Sequence, residues 1–194
     1  MREIEEEIKN CRKCDLWKTR RNAVPGEGNY KARMMLVGEA PGKKEDEMGK
    51  PFVGKAGQLL TETMEKVGIE RSEVYITNVI KCRPPNNRNP TRGEIERCLP
   101  YLRRQIDVIK PEIIVTLGNF ATTEILKMYG FVPHSITRAR GRIYRSPLHN
   151  VAIIPTFHPA ACIYNPAFIE KFEEDFRKIA EEYIKIKEKK KSEL

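Results

Sequence analysis

Apolar positions along this chain follow two rhythms. Met34–Val37 and Glu112–Leu117 are almost unbroken apolar runs, the pattern of strands buried on both faces. Val74–Ile80 alternates and is rich in β-branched residues, which also predicts a strand. Arg142–Tyr144 and Val151–Pro155 read as two further strands around a turn. Between these runs the period changes to that of a helix. Leu59, Leu60, Met64 and Val67 are spaced for a helix over Lys55–Val67, with Gly68 as its stop. Asn119–Met128 and a long amphipathic stretch over about Pro166–Lys187 read the same way, and residues 2–9 form a short acidic helix. Thr91-Arg-Gly-Glu94 is a capping-box pattern opening a helix to about Ile109, with Pro100 as a kink or break. Arg83–Thr91 holds three prolines and three asparagines and is expected to be loop.

Strands alternating with helices predict a parallel sheet covered by helices on both faces. Ligands in such sheets sit at the carboxyl ends of the strands. That rule directs attention to Gly38–Gly42, Asn78, Gly118 and His158. With no internal repeat and no low-complexity linker, the 194 residues read as a single domain with a basic helical tail from about residue 181.

Composition narrows the class of protein. Hydrophobic residues make up 40% and charged residues 32%, which fits neither a disordered chain nor a membrane protein. The longest apolar runs are too short to span a bilayer, and the N-terminus lacks the apolar core of a secretory signal. The expectation is a cytoplasmic protein associated with the nucleoid. Its net charge of +9 favours a polyanionic partner. Lys185–Ser192 supplies part of that surplus, but Arg83, Arg88, Arg92, Arg103, Arg104, Arg138, Arg140, Arg142 and Arg145 lie elsewhere. Few glutamines among many Glu, Lys, Arg and Ile residues hint at a thermophilic source.

Five cysteines in a chain without an export signal argue for metal binding rather than disulfides. Cys11-Arg-Lys-Cys14 is a tight pair, and Cys82 and Cys98 form a wider one. Four thiolates suit either a tetrahedral zinc ion or an iron–sulfur cube, and the wide second pair favours the larger object; unliganded cysteines are the third reading. Cys162 reads as a small buried apolar residue.

Other motifs are ambiguous singly. Gly38-Glu-Ala-Pro-Gly42 follows a strand, and no Gly-Lys-Ser/Thr follows it, so it is not a Walker phosphate loop. Phe52, in Pro51-Phe-Val-Gly54, is an aromatic in a loop before a helix and by itself reads as a buried core residue. Asn78 sits among Ile, Thr and Val, where asparagine is uncommon; it is either a satisfied core amide or a group that reads a base. His158 at a strand end is a usable donor or acid, whereas His134 and His149 lie in loop-like sequence.

The order of these motifs carries more than any one of them. Cys11-x2-Cys14, Gly38–Gly42, Pro51–Gly54, Thr77-Asn-Val-Ile-Lys-Cys-Arg-Pro-Pro85, Cys98 and His158-Pro-Ala-Ala161, in this sequence over about residues 8–180, resemble the family-4 uracil-DNA glycosylases. The resemblance implies excision of uracil from single- or double-stranded DNA by a monomer, with no membrane association. It implies an α/β fold, a three-layer α/β/α sandwich with a central parallel sheet of about four strands. It also implies a structural [4Fe–4S] cluster on Cys11, Cys14, Cys82 and Cys98. In that reading Phe52 stacks on the flipped base, and Asn78 pairs with uracil N3–H and O4. Gly38, Ala40 and Gly42 belong to the base pocket. Glu39, His158 and Asn87 are the catalytic candidates, His158 facing uracil O2.

Two positions and one segment differ from related glycosylases. Ala40 stands where many uracil-DNA glycosylases outside the family place aspartate, and Tyr164 where many relatives carry arginine. Residues 83–97 contain no histidine, unlike a sister group that traps DNA covalently through one. Competing readings are a base-excision enzyme for another deaminated base, a non-catalytic metal-containing DNA-binding protein, and an electron-transfer protein. The lysine-rich helix beyond about residue 180 is either a solvated tail or a contact for a sliding-clamp protein.

Overall fold

Successive residues of a strand face opposite sides of its sheet, and here both sides are apolar. In the computed structural model, which describes residues 1–191, strands β1 (Glu27–Gly28), β2 (Met34–Gly38), β3 (Tyr75–Asn78), β4 (Ile113–Leu117), β5 (Tyr144–Ser146) and β6 (Val151–Thr156) form one sheet in the order β1-β3-β2-β4-β6-β5. The four central strands are parallel. Met35, Val37, Tyr75, Ile114 and Ile153 face one layer of core, and Met34, Leu36, Ile76, Val115 and Ile154 face the other.

Helices cover both faces. On the first lie α1 (Arg2–Lys9), α4 (Arg92–Ile109) and α5 (Asn119–Met128), through Ile8, Tyr101, Leu102, Ile106 and Ile125. On the second lie α3 (Lys55–Lys66) and α8 (Ile169–Lys191), through Leu60, Met64, Phe172, Phe176 and Ile179. The three-layer sandwich with four parallel strands is as expected. The sheet gains two short antiparallel edges, β1 on β3 and β5 on β6. A two-residue strand leaves no periodic signal, and β5 lies two residues later than the pattern suggested because its register is set by pairing with β6.

Other differences have local causes. Pro100 lies inside an unbroken α4, whose Tyr101, Leu102 and Ile106 are packed and whose start is held by the Thr91/Glu94 capping box. Two short helices beside the cleft, α2 (Lys43–Met48) and α7 (Pro159–Tyr164), were not anticipated, nor was the four-residue α6 (Ile136–Ala139). The first is almost wholly polar and the second spans six residues, so neither shows an apolar stripe. Both follow strand ends and border the cleft described below. The C-terminal part of α8 packs: Tyr183 and Glu182 are buried, Glu182 pairs with Arg145, and Lys187 pairs with Glu73 at 2.8 Å. Residues 192–194 of the basic tail lie outside the described residues. No described helix is long and apolar enough to cross a membrane.

Candidate active site and cysteine centre

The carboxyl ends of β2, β3 and β6 open into one cleft. Glu39, Ala40, Gly42, Phe52, Asn78, Asn87 and His158 all line it, together with Glu45, Arg88 and Tyr164. Gly38 lies directly behind this wall, paired in register with Asn78. A Cβ on Gly38 would stand 2.4 Å from Asn78 Oδ1 and 2.5 Å from Phe52 Cζ, so only glycine lets these two side chains meet.

Asn78 is the last residue of β3 and is 1% exposed. Its Oδ1 is buried without a hydrogen-bond partner among the described residues. A buried amide oxygen left unpaired costs stability unless a ligand satisfies it. The β2–β3 ladder continues past the strands, with Val79 N–H donating to Gly38 O and Ile80 N–H to Glu39 O, each at 2.9 Å. This fixes the main chain of Glu39 while its side chain reaches the cleft. Burial alone raises the Glu39 carboxyl above its ordinary value.

Phe52 sits in a left-handed backbone conformation with φ of 50°. Arg71 holds that bend by donating to the carbonyls of Pro51 at 2.6 Å and Phe52 at 3.1 Å. Glu45 Oε1 accepts the N–H groups of Val53 at 2.9 Å and Gly54 at 3.0 Å, tying α2 to the first turn of α3. The Phe52 and His158 rings stand 5.6 Å apart at 32°. His158 caps α7 through Nδ1, which accepts the N–H of Ala160 at 3.1 Å. Burial pulls its imidazole down to about 4, against a weaker opposing effect of Glu45. Neutral His158 therefore carries its proton on Nε2, where it is a donor.

In the loop after Cys82, Asn86 and Asn87 both have positive φ, 55° and 54°, which asparagine tolerates better than most residues. Arg83 Nε donates to Asn87 Oδ1 at 2.8 Å. Both terminal nitrogens of Arg88 donate to Glu94, at 2.7 and 2.9 Å. This fork ties the loop to α4. Tyr164, 89% exposed, stands on the rim. Glu45 and Arg71 escaped the sequence reading. The only trace of Glu45 is an acidic residue three places after the N-capping Gly42, and Arg71 has no local signature because it acts across chain distance.

On the other side of β3, Cys11, Cys14, Cys82 and Cys98 line a second, apolar cavity with Ile8, Leu16, Ile80 and Tyr101. Three sulfurs already accept hydrogen bonds: Cys82 from Arg20 Nη1 at 3.0 Å, Cys98 from Lys81 N–H at 3.3 Å and Cys11 from Lys13 N–H at 3.5 Å. No three His, Cys, Asp or Glu side chains among the described residues close onto a single metal-ion position. Cys162 is fully buried in the core against α8, away from this group.

Fold and cleft define an α/β protein with an open cleft at the carboxyl edge of its parallel strands, where ligands of such sheets sit. The Uracil DNA glycosylase superfamily model matches residues 25–183. Among similar proteins, a type-4 uracil-DNA glycosylase of Sulfurisphaera tokodaii is 53% identical, the alignment covering 93% of this chain and 84% of that protein. Type-4 enzymes of Saccharolobus solfataricus (51% identical; 92% and 84% covered) and Archaeoglobus fulgidus (50%; 92% and 91%) are alike in the same way. The chain belongs to the uracil-DNA glycosylase superfamily, and within it to the type-4 family.

Proposed function

We propose that this chain is a DNA-repair glycosylase that extrudes uracil from DNA and hydrolyses its N-glycosidic bond, leaving an abasic site. The observation that carries this reading is that Asn78, whose buried Oδ1 has no partner among the described residues, lines a cleft with Phe52, Glu39 and His158. An amide there offers an acceptor and a donor side by side, the complement of uracil N3–H and O4. Cytosine presents the reverse pattern and leaves the buried amide unpaired, so discrimination is large. Thymine differs by one methyl group, and the Glu39–Gly42 wall is the part of the cleft suited to exclude it. Phe52 stacks on the base.

Extrusion costs a few kcal/mol, roughly, for unstacking and unpairing. Contacts from the basic surface to phosphates offset it. In the reaction a water oxygen bonds to C1′ as the C1′–N1 bond breaks, and the bonding pair leaves with uracil. Charge builds on uracil O2, where the Nε2–H of His158 donates. The Glu39 carboxylate holds the attacking water, accepts one of its protons and offsets the positive charge on the sugar. Asn87, oriented by Arg83, supports the leaving base from the opposite loop.

Cys11, Cys14, Cys82 and Cys98 fit a [4Fe–4S] cluster as ligands. Four sulfurs surround a cavity, and N–H donors already aim at three of them, as expected around cluster thiolates. Its contribution is structural, clamping both ends of the loop that carries Asn87. Excision from a labelled single-uracil oligonucleotide, read as alkaline strand breakage, tests the function. Wild type should cleave, and Glu39→Gln and Asn78→Ala should each lose most activity. Absence of breakage by folded, iron-loaded wild type on both single- and double-stranded substrates would overturn the reading.

A further inference from the structure

Between the cleft and the cysteine centre lies a lysine that neither site explains. Lys81 is 1% exposed, in a stretch otherwise apolar from Val79 to Cys82. Its Nζ donates to Thr77 Oγ1 at 2.6 Å, to the backbone oxygen of Asn78 at 2.7 Å and to Gln105 Oε1 at 2.7 Å. All three partners are acceptors with no proton to return. Thr77 Oγ1 spends its hydrogen on Pro25 O at 2.7 Å, and Gln105 Nε2 donates to Pro25 O at 2.9 Å and Tyr75 OH at 3.2 Å. These three short hydrogen bonds fix Nζ in one place. The same residue's backbone N–H donates to Cys98 Sγ, and Cys82 follows it in the chain.

We infer that Lys81 is a positioning residue for base reading, one that fixes the Asn78 peptide and joins it rigidly to the cysteine centre. The inference rests on the function proposed above. Asn78 ends a four-residue strand; the N–H of the peptide that follows it, at Val79, donates to Gly38 O, and the carbonyl of that same peptide is held by Lys81 Nζ. A side chain there keeps its aim only if the peptide carrying it is held, and small misplacements at a reacting site are expensive. Lys81 ties that peptide to α4 through Gln105 and to the Pro25 segment through Thr77. Its main chain ties it to the two cysteines that bracket the Asn87 loop. The base-reading amide and the metal ligands thus share one fixed point.

The test compares wild type, Lys81→Met, Asn78→Ala and the double variant, with iron and sulfide content and thermal melting measured on each. On single-uracil duplex DNA, Lys81→Met should lower excision at saturating substrate by about 10- to 100-fold, the usual cost of losing a supporting partner. Its binding to uracil-free duplex and its iron content should stay near wild type. Because Lys81 acts through Asn78, the double variant should be no slower than Asn78→Ala alone. A double variant whose loss is the product of the single losses overturns the inference, as does a fully active Lys81→Met. If Lys81→Met fails to fold, Thr77→Val removes one of the three acceptors; its loss should again vanish in the Asn78→Ala background, and a persistent loss overturns the inference. Inactive wild type would instead count against the glycosylase reading itself.

Discussion

His158 accepts the backbone N–H of Ala160 on Nδ1 at 3.1 Å, and this one bond decides which ring nitrogen faces the cleft with a proton. Protonating Nδ1 would break that cap, and burial opposes the second charge, so the imidazole stays neutral down to about 4. The Glu39 carboxyl, raised above 4.5 by burial, is the group that loses its active form first on acidification. The expected profile of kcat/KM falls on acidification as Glu39 takes up a proton, with no inflection from His158 at the ordinary histidine value. Glu39→Gln should lack that limb. The same limb in the variant, or an inflection near 6.5 lost in His158→Gln, would reassign the titrating group.

Glu39 also sets stability against activity. Its folded carboxyl is raised relative to the unfolded chain, so its ionised form opposes folding. The stability difference is absent below the unfolded value and grows as pH rises through the folded one. Glu39→Gln should therefore melt higher than wild type at neutral pH, and the gain should disappear in acid. Thermal melts of both proteins across pH give the comparison; equal melting at every pH would mean the carboxylate is better solvated than its position suggests. A site residue that costs stability is the usual signature of function.

Gly57 shapes the cleft without lining it. It lies within helix α3, where backbone freedom is not needed, yet a Cβ there would stand 1.9 Å from the oxygen and 2.0 Å from the carbonyl carbon of Phe52. Backbone atoms cannot rotate away, so Gly57→Ala must push the Phe52 bend off its Arg71 anchors. The variant should melt lower and show raised KM for uracil DNA, because the stacking platform moves. Wild-type KM with unchanged melting would show that the helix and loop separate without cost.

How much of this was legible in the sequence depended on distance along the chain. The parallel strands and the capped helix α4 were readable because their signals are local: unbroken apolar runs, and Thr91 with Glu94 three places on. Asn78 stood out as an amide in a β-branched run, and Gly38 and His158 by standing at strand ends. Edge strand β1 was not readable, since two residues carry no period. Nor were Gly57, Arg71 and Lys81. Each acts on a backbone carbonyl, of Phe52 or Asn78, and a carbonyl leaves no mark on residue type.

The cysteine pattern left zinc and a cluster both open, and composition of the purified protein decides between them. Iron and sulfide in a ratio near one, with a brown colour, are expected; one zinc per chain with no iron would sink the cluster. Cys82→Ser and Cys98→Ser should lose metal and melt lower, since the segment between them is then held only by Arg88–Glu94 and the cap of α4. Cys162→Ala should keep full metal content, because that thiol is buried in the core against Phe172 and Phe176.

The strand end that carries His158 has its own buried anchor. Asp175 of α8 is fully buried; its Oδ2 accepts Thr156 Oγ1–H at 2.8 Å, and Arg140 donates to both its oxygens at 2.7 and 3.0 Å. Thr156 ends β6 two residues before His158, and Arg140 also stands 5.5 Å from the centre of the intervening Phe157 ring. Removing one partner of a buried pair is costly because the other charge remains; Arg140 retains Glu174, so the low end applies and Asp175→Asn should lose about 3 kcal/mol. Urea denaturation should show the loss as a lower midpoint at unchanged slope. Replacing both members, Arg140→Met with Asp175→Leu, should recover part of that stability, because no unpaired charge is left. Excision need not recover with it: Thr156 then lacks its acceptor and the β6 end is free to shift. Stability restored with activity still low would separate the two roles, whereas full recovery of both would make the pair a matter of folding alone.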